Sequence, residues 1–218
     1  MNWNLSIVMF IIAALFAPAA SFGAAIEFDS APVAHDSQLT VGFVFTTNQA
    51  IDVTALGYYD DNQDGFLTNH EVGIFDANDV LLISIVLNAG SAASLDGHYR
   101  YSAVTPITLP ANSTFVIAAT TFGQADAYAF GIRDSTIAGL IVDPRISVAS
   151  DASRFIYQAD DVLRVPTDMF GGYTIYGGPN FQLADADASA VPEPASLTLT
   201  LAGVAGLLLT SKRQHMRG

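Results

Sequence analysis

Twelve consecutive residues, Asp60-Asp61-Asn62-Gln63-Asp64-Gly65-Phe66-Leu67-Thr68-Asn69-His70-Glu71, bring together oxygen donors at metal-binding spacing. They match the calcium-loop pattern D-x-[DN]-x-[DN]-G-x5-E at every specified position. In that pattern Asp60, Asn62 and Asp64 supply side-chain oxygens, Phe66 its carbonyl, Thr68 a water-bridged contact and Glu71 a bidentate carboxylate. Gly65 takes the sharp turn. Ca2+ is therefore the one cofactor the sequence offers. The flanks, Ile51 to Tyr59 and Val72 to Phe75, are strand-like, whereas the usual calcium loop sits between helices. On a strand that begins near His70 the side chains alternate, so Glu71 and Val72 face opposite ways. The same Asp, Asn and Gly residues also make an ordinary turn. If the loop binds calcium, the expected role is to order a long hairpin.

A second group is aromatic. Tyr157, Tyr173 and Tyr176, with Phe170, lie among Gly171-Gly172 and Gly177-Gly178. Such rings form either an exposed platform for sugars or part of the core. His35, His70 and His98 have no spacing that suits zinc. Asp151, Asp160 and Asp161 could be paired with Glu71 or Asp96 as hydrolase carboxylates, but any acidic chain permits such pairs. No nucleophile elbow, P-loop or dinucleotide fingerprint is present. No catalytic residue is assigned, and the expectation is a protein that is not an enzyme.

The elements that must position these groups read as strands. Val41, Phe43 and Phe45, then Val72 and Ile74, alternate apolar with polar neighbours, as half-buried strands do. The continuous runs Val80 to Leu87 and Phe115 to Ala119 read as strands buried on both faces. Turn signals separate them at Asp60 to Gly65, Asp76-Ala77-Asn78-Asp79, Ala89-Gly90, Leu109-Pro110-Ala111-Asn112 and Phe122-Gly123. The expected fold class is all-β, a β-sandwich, with a jelly roll as the variant that closes two sheets over one core.

Composition narrows the partners. The chain has 218 residues, no cysteine and a formal net charge of -13. Between Ile26 and Ala190 there are twenty Asp and Glu against five Arg and no Lys, a charge of -15. That field repels phosphate backbones and anionic lipid, so nucleic acid is not an expected partner. Divalent cations and neutral sugars remain. Without cysteine no disulfide or thiolate site is available, and a body of this length can bury a core of its own.

Both ends are apolar. Leu5 to Phe16 followed by small residues from Ala17 to Ala25 has the pattern of a secretory signal peptide, with the cut between Ala19 and Ala25. At the other end Val191-Pro192-Glu193-Pro194 precedes an apolar stretch, Ala195 to Thr210, and a basic tail with Lys212, Arg213 and Arg217. Sixteen helical residues span about 24 Å, just short of the roughly 30 Å hydrocarbon core, so such a helix holds only marginally. Positive charge after it stays cytoplasmic and leaves the body outside. The resulting organisation is 1–25 signal helix, 26–183 body, 184–190 acidic linker and 191–218 tail. The tail divides into the motif 191–194, a single membrane helix 195–210 and the basic end 211–218.

Pro192-Glu193-Pro194, Ala195-Ser196-Leu197, the Gly-containing apolar helix and the Lys-Arg tail together resemble the PEP-CTERM sorting signal. The resemblance implies recognition by an exosortase and the secretion machinery of a Gram-negative bacterium that makes extracellular polysaccharide. It further implies transient anchoring in the inner membrane, processing near the motif and display at the cell surface or in the matrix.

The body is similar to a group of secreted jelly-roll-like domains that often carry such tails. The likeness runs through Ala55-Leu56-Gly57-Tyr58-Tyr59-Asp60, Asp64-Gly65-Phe66-Leu67, His70-Glu71-Val72-Gly73-Ile74-Phe75-Asp76 and Tyr99-Arg100-Tyr101. It continues with Pro106-Ile107-Thr108-Leu109, Thr114 to Ala119 and Gly178-Pro179-Asn180-Phe181. The expected function is a surface-displayed structural or adhesive protein of the extracellular polysaccharide matrix. A carbohydrate-binding module is the alternative, and a polysaccharide-active enzyme stands behind both.

Overall fold

The structure, a computed structural model, describes residues 23–35, 38–121 and 125–185. The signal segment up to residue 22 and the tail 191–218 lie outside the described residues. Among the described residues there is no helix long and apolar enough to cross a membrane.

The strands are β1 (Gly23–Ala24), β2 (Ile26–Glu27), β3 (Val33–Ala34), β4 (Leu39–Thr47), β5 (Ile51–Tyr59), β6 (His70–Asp76), β7 (Leu81–Leu87) and β8 (Ser94–Asp96). They continue with β9 (Tyr99–Leu109), β10 (Thr114–Thr120), β11 (Tyr128–Gly131), β12 (Ile141–Val142), β13 (Ile146–Ser147), β14 (Ser153–Tyr157), β15 (Ile175–Gly177) and β16 (Pro179–Leu183). One sheet runs β1-β16-β5-β9-β8, and a second runs β13-β4-β10-β6-β7 with β14 also paired to β4. Smaller sheets, β15-β11-β3 and β12-β2, complete an all-β, sandwich-like body.

The alternating residues of β4 meet those of the facing sheet. Phe45 from β4 packs on Phe181 from β16 with ring centroids 4.9 Å apart. Val41, Phe43, Leu56, Tyr58, Ile74 and Ile117 are fully buried around them. Each such side chain contributes about 1.5–3 kcal/mol by leaving water. Strand β10 is central, between β4 and β6, and its run from Phe115 to Ala119 is largely buried, as a strand covered on both faces requires.

Strand β7 departs from expectation. Val80 to Leu87 reads as a buried strand, yet β7 is the outer strand of its sheet and Val80, Leu81, Leu82 and Val86 are exposed. Periodicity reports the apolar run and carries no information on whether a neighbour follows. A bulge between Ile74 and Phe75 sets Leu82 out of register on this edge, a device that discourages edge-to-edge pairing. The turn before β7 follows from Asp76, whose Oδ1 accepts from the N–H groups of Asn78 and Val80.

The body starts earlier than residue 26. Gly23 and Ala24 pair with Leu183 and Gln182 of β16, and Ala25 is fully buried. A signal cut beyond Ala24 would remove this strand from the sheet. At the other end Ala184 N–H donates to the Asp52 carbonyl at 2.9 Å, so the sheet reaches into the segment read as linker.

Candidate functional site

Of the twelve residues, Asp60 to Asn69 join β5 to β6, which lie in different sheets, and His70 and Glu71 open β6. Three of the expected ligands, Asp60, Phe66 and Glu71, have hydrogen-bond partners within the protein. Asp60 is buried, and its Oδ2 accepts from Arg100 Nε at 2.5 Å and from Gly65 N–H at 3.1 Å. The rest of the Arg100 fork donates to carbonyls: Nη2 to Gln63 at 2.9 Å, Nη1 to Ala93 at 3.1 Å and Ser91 at 3.3 Å. The Phe66 carbonyl accepts from Gly90 N–H at 2.7 Å. Glu71 shares the outer face of β6 with Gly73 and Phe75, and its Oε1 accepts from Ser84 Oγ at 3.0 Å. Asn62 and Asp64 are exposed. Among the described residues no three His, Cys, Asp or Glu side chains converge to hold a metal. An internal guanidinium thus already answers the charge of Asp60 and ties down the loop carbonyls.

The far half of the loop is fastened by Asp126, just before β11. Its carboxylate accepts from Leu67 N–H at 2.9 Å, Thr68 N–H at 2.9 Å and Thr68 Oγ1 at 3.0 Å. It also faces His70 Nε2 at 3.0 Å, while His70 Nδ1 meets the Thr120 carbonyl at 2.8 Å. Both partners of the ring are oxygen acceptors, so each ring nitrogen faces an oxygen of the protein. The imidazole is fully buried and stacks on Tyr58, centroids 3.8 Å apart and planes 4° apart. Burial pushes the Tyr58 hydroxyl far above its ordinary range.

For Asp126, burial alone would raise the carboxyl pKa. The His70 contact and the Leu67 and Thr68 N–H bonds outweigh it and bring the group from 3.8 down to about 2. A carboxylate that titrates lower when folded adds stability above its unfolded pKa and loses it as pH falls through the folded one. After solvent screening the loss between about pH 5 and pH 2 is on the order of 1–2 kcal/mol. Urea unfolding at the two pH values should show it in the wild type, with that part of the slope missing in Asp126→Asn. Equal pH slopes in both proteins would refute the assignment.

The aromatic group does come together. Tyr157 of β14, Phe170 and Tyr173 of the loop before β15, and Tyr176 of β15 line one cavity of about 250 Å3 with Ala34, Leu39, Tyr128, Phe130 and Phe155. Tyr157 is 72% exposed and Phe170 53% exposed at the rim, whereas Tyr176 is buried at the base. Two features of the chain hold this arrangement. Phe155 and Asp168 exchange both backbone hydrogen bonds at 2.9 Å, which fixes the loop against β14. Tyr173 N–H then donates to the Phe170 carbonyl at 3.3 Å, across a turn that puts Gly172 at φ 93. The turn stacks Phe170 on Tyr173, centroids 5.0 Å apart. Replacing Gly172 by alanine forces a side chain into that left-handed backbone and should cost about 1 kcal/mol in thermal unfolding. A variant as stable as wild type would mean that the turn is not held in this form.

The sequence assigned no site role to Arg100, Asp126, Tyr128, Phe130 or Phe155. The aromatic three had a signal, since Tyr128/Phe130 and Phe155/Tyr157 are spaced two apart and therefore share one face of their strands. Arg100 and Asp126 had none, because their contacts span 40 and 56 residues. Of the remaining carboxylates, Asp161 bonds the Thr120 side chain and stands close enough to Glu71 for the two charges to repel, and burial together with that repulsion raises its carboxyl pKa. His98 stacks on Phe28 at 5.3 Å, and Asp160 is paired with Arg164 on the surface.

No curated protein matches the chain. The family described as a domain of unknown function, DUF4082, matches residues 28–175. This match ends before β16, whose pairing with β1 and β5 belongs to the same body. With that extent of agreement, the chain belongs to the DUF4082 family.

Proposed function

We propose that this chain is an exported, surface-displayed adhesive protein of the extracellular polysaccharide matrix, and that its sandwich grips glycan through the aromatic pocket. The observation that carries the binding half is the convergence of Tyr157, Phe170, Tyr173 and Tyr176 on one open cavity. Ring faces stack on the C–H face of a pyranose and phenolic hydroxyls bond its rim, which suits a neutral ligand near a strongly acidic body. The jelly-roll arrangement belongs to this proposal, as the form in which two curved sheets enclose a core and leave an edge open for ligand.

The address half rests on sequence. The signal-like segment 1–25, the motif Val191-Pro192-Glu193-Pro194, the apolar 195–210 and Lys212, Arg213 and Arg217 support export, exosortase sorting and passage through the inner membrane of a Gram-negative bacterium. No catalytic step is assigned to the body, and calcium is not needed in this reading, because Arg100 supplies the cation of the loop. Millimolar Ca2+ should therefore move the melting temperature by less than about 2 °C. A larger rise that Asp64→Ala abolishes would restore the metal site.

The binding half is tested on a glycan array with full-length protein in mild detergent. Binding to neutral glycans is expected, with at least a tenfold loss in Tyr157→Ala. Because Tyr157 projects into solvent, that variant should keep its melting temperature. Silence of the folded wild type across the array would sink the proposal.

A further inference from the structure

We infer that the aromatic pocket reads the end of a glycan, one terminal neutral pyranose that carries a methyl group, and does not grip a chain along its length. This inference rests on the glycan-binding proposal and adds the ligand class to it. Three observations carry it.

The first is size. A cavity of about 250 Å3 lies below the range of roughly 300–1,000 Å3 that holds drug-sized ligands, so it suits a single ring. The second is the orientation of the rings. Tyr157 stands at 88° to Phe155, Tyr176 at 74° to Phe155 and at 88° to Tyr173. A site that holds successive sugars needs ring faces side by side, each open to the next unit. Here the near-parallel neighbours Phe170 and Tyr173 lie face to face at 25°, so each spends one face on the other. The rings make the walls of a box that closes round one end group.

The third is the chemistry of the lining. Among the described residues, none of the nine that line the cavity carries a charge, and their polar side-chain atoms are the hydroxyls of Tyr128, Tyr157, Tyr173 and Tyr176. A uronate or sulfate would surrender its hydration there with no cation among the described lining residues to replace it, against the field of a body with a charge of -15. Ala34 and Leu39 complete the wall with apolar surface. That surface rewards a methyl substituent, as in a 6-deoxyhexose or an N-acetylhexosamine, by about fourfold in affinity for one buried carbon.

The test is saturation-transfer NMR and calorimetry on the full chain in mild detergent. The probes are L-rhamnose, N-acetylglucosamine, glucose and glucuronate, with N-acetylglucosamine oligomers of one to four units. Expected are binding of the two methyl-bearing sugars, several-fold weaker binding of glucose and none of glucuronate. The affinity of the tetramer should lie within about threefold of the monomer, and both Tyr157→Ala and Tyr173→Ala should lose tenfold or more. Affinity that climbs with each added unit, or a preference for glucuronate, would overturn the end-group inference while leaving glycan binding in place. Failure of all these sugars together with a silent glycan array would overturn both.

Discussion

Replacing Arg100 by alanine is expected to lower the unfolding free energy by about 3–5 kcal/mol, the range for stripping one partner from a buried ion pair. Asp60 and Arg100 keep only 4% and 6% of their surface exposed, so the carboxylate left behind cannot recover its hydration without opening the loop. The loss extends beyond the pair. The same guanidinium bonds the carbonyls of Gln63, Ser91 and Ala93, which join the loop after β5 to the segment before β8. Arg100→Lys keeps the charge but cannot reach all of these acceptors at once, so it should recover only part of the loss. Asp60→Asn removes the opposite charge and should also destabilise, because the guanidinium is then buried without an anion. Urea unfolding of the three variants checks the argument. A loss below about 1 kcal/mol in Arg100→Ala would show that the pair behaves as a surface contact.

The same pair shows where sequence reading succeeds and where it stops. Residues 60–71 satisfied a calcium pattern at every specified position because Asp, Asn and Gly serve turn geometry as well as they serve a metal. What the pattern does not report is that Asp60, Phe66 and Glu71 bond Arg100, Gly90 and Ser84 and that Asp126 holds Leu67 and Thr68, partners that are not local to the loop. Strand content was legible wherever alternation or an apolar run marked it, as in β4 and β10. The place of a strand within its sheet was not, so β7 looked like a central strand and stands at an edge. The aromatic group was legible as composition. Its convergence depended on β3, β4, β11 and β14 approaching the loop before β15, which no spacing along the chain encodes.

His70 is the second residue on which the loop depends, and His70→Ala should cost about 3–5 kcal/mol. Two losses combine. Removing a fully buried ring that stacks on Tyr58 and meets Phe66 edge-on at 5.2 Å leaves a cavity, as large-to-small core substitutions do. Removing its two ring nitrogens also takes a side-chain partner from the Thr120 carbonyl and from one side of Asp126. His70→Phe separates them. Phenylalanine keeps the stacking and most of the volume, so its cost should be the unsatisfied acceptors alone, about 1–3 kcal/mol. Hydrogen exchange supplies the local readout. In both variants the amides of Leu67 and Thr68, which donate to Asp126, should exchange faster than in the wild type, because the carboxylate loses the ring that fixes it. If His70→Phe is as stable as the wild type and those amides stay protected, the ring is packing material. The fastening of the loop then belongs to Asp126 and its backbone donors.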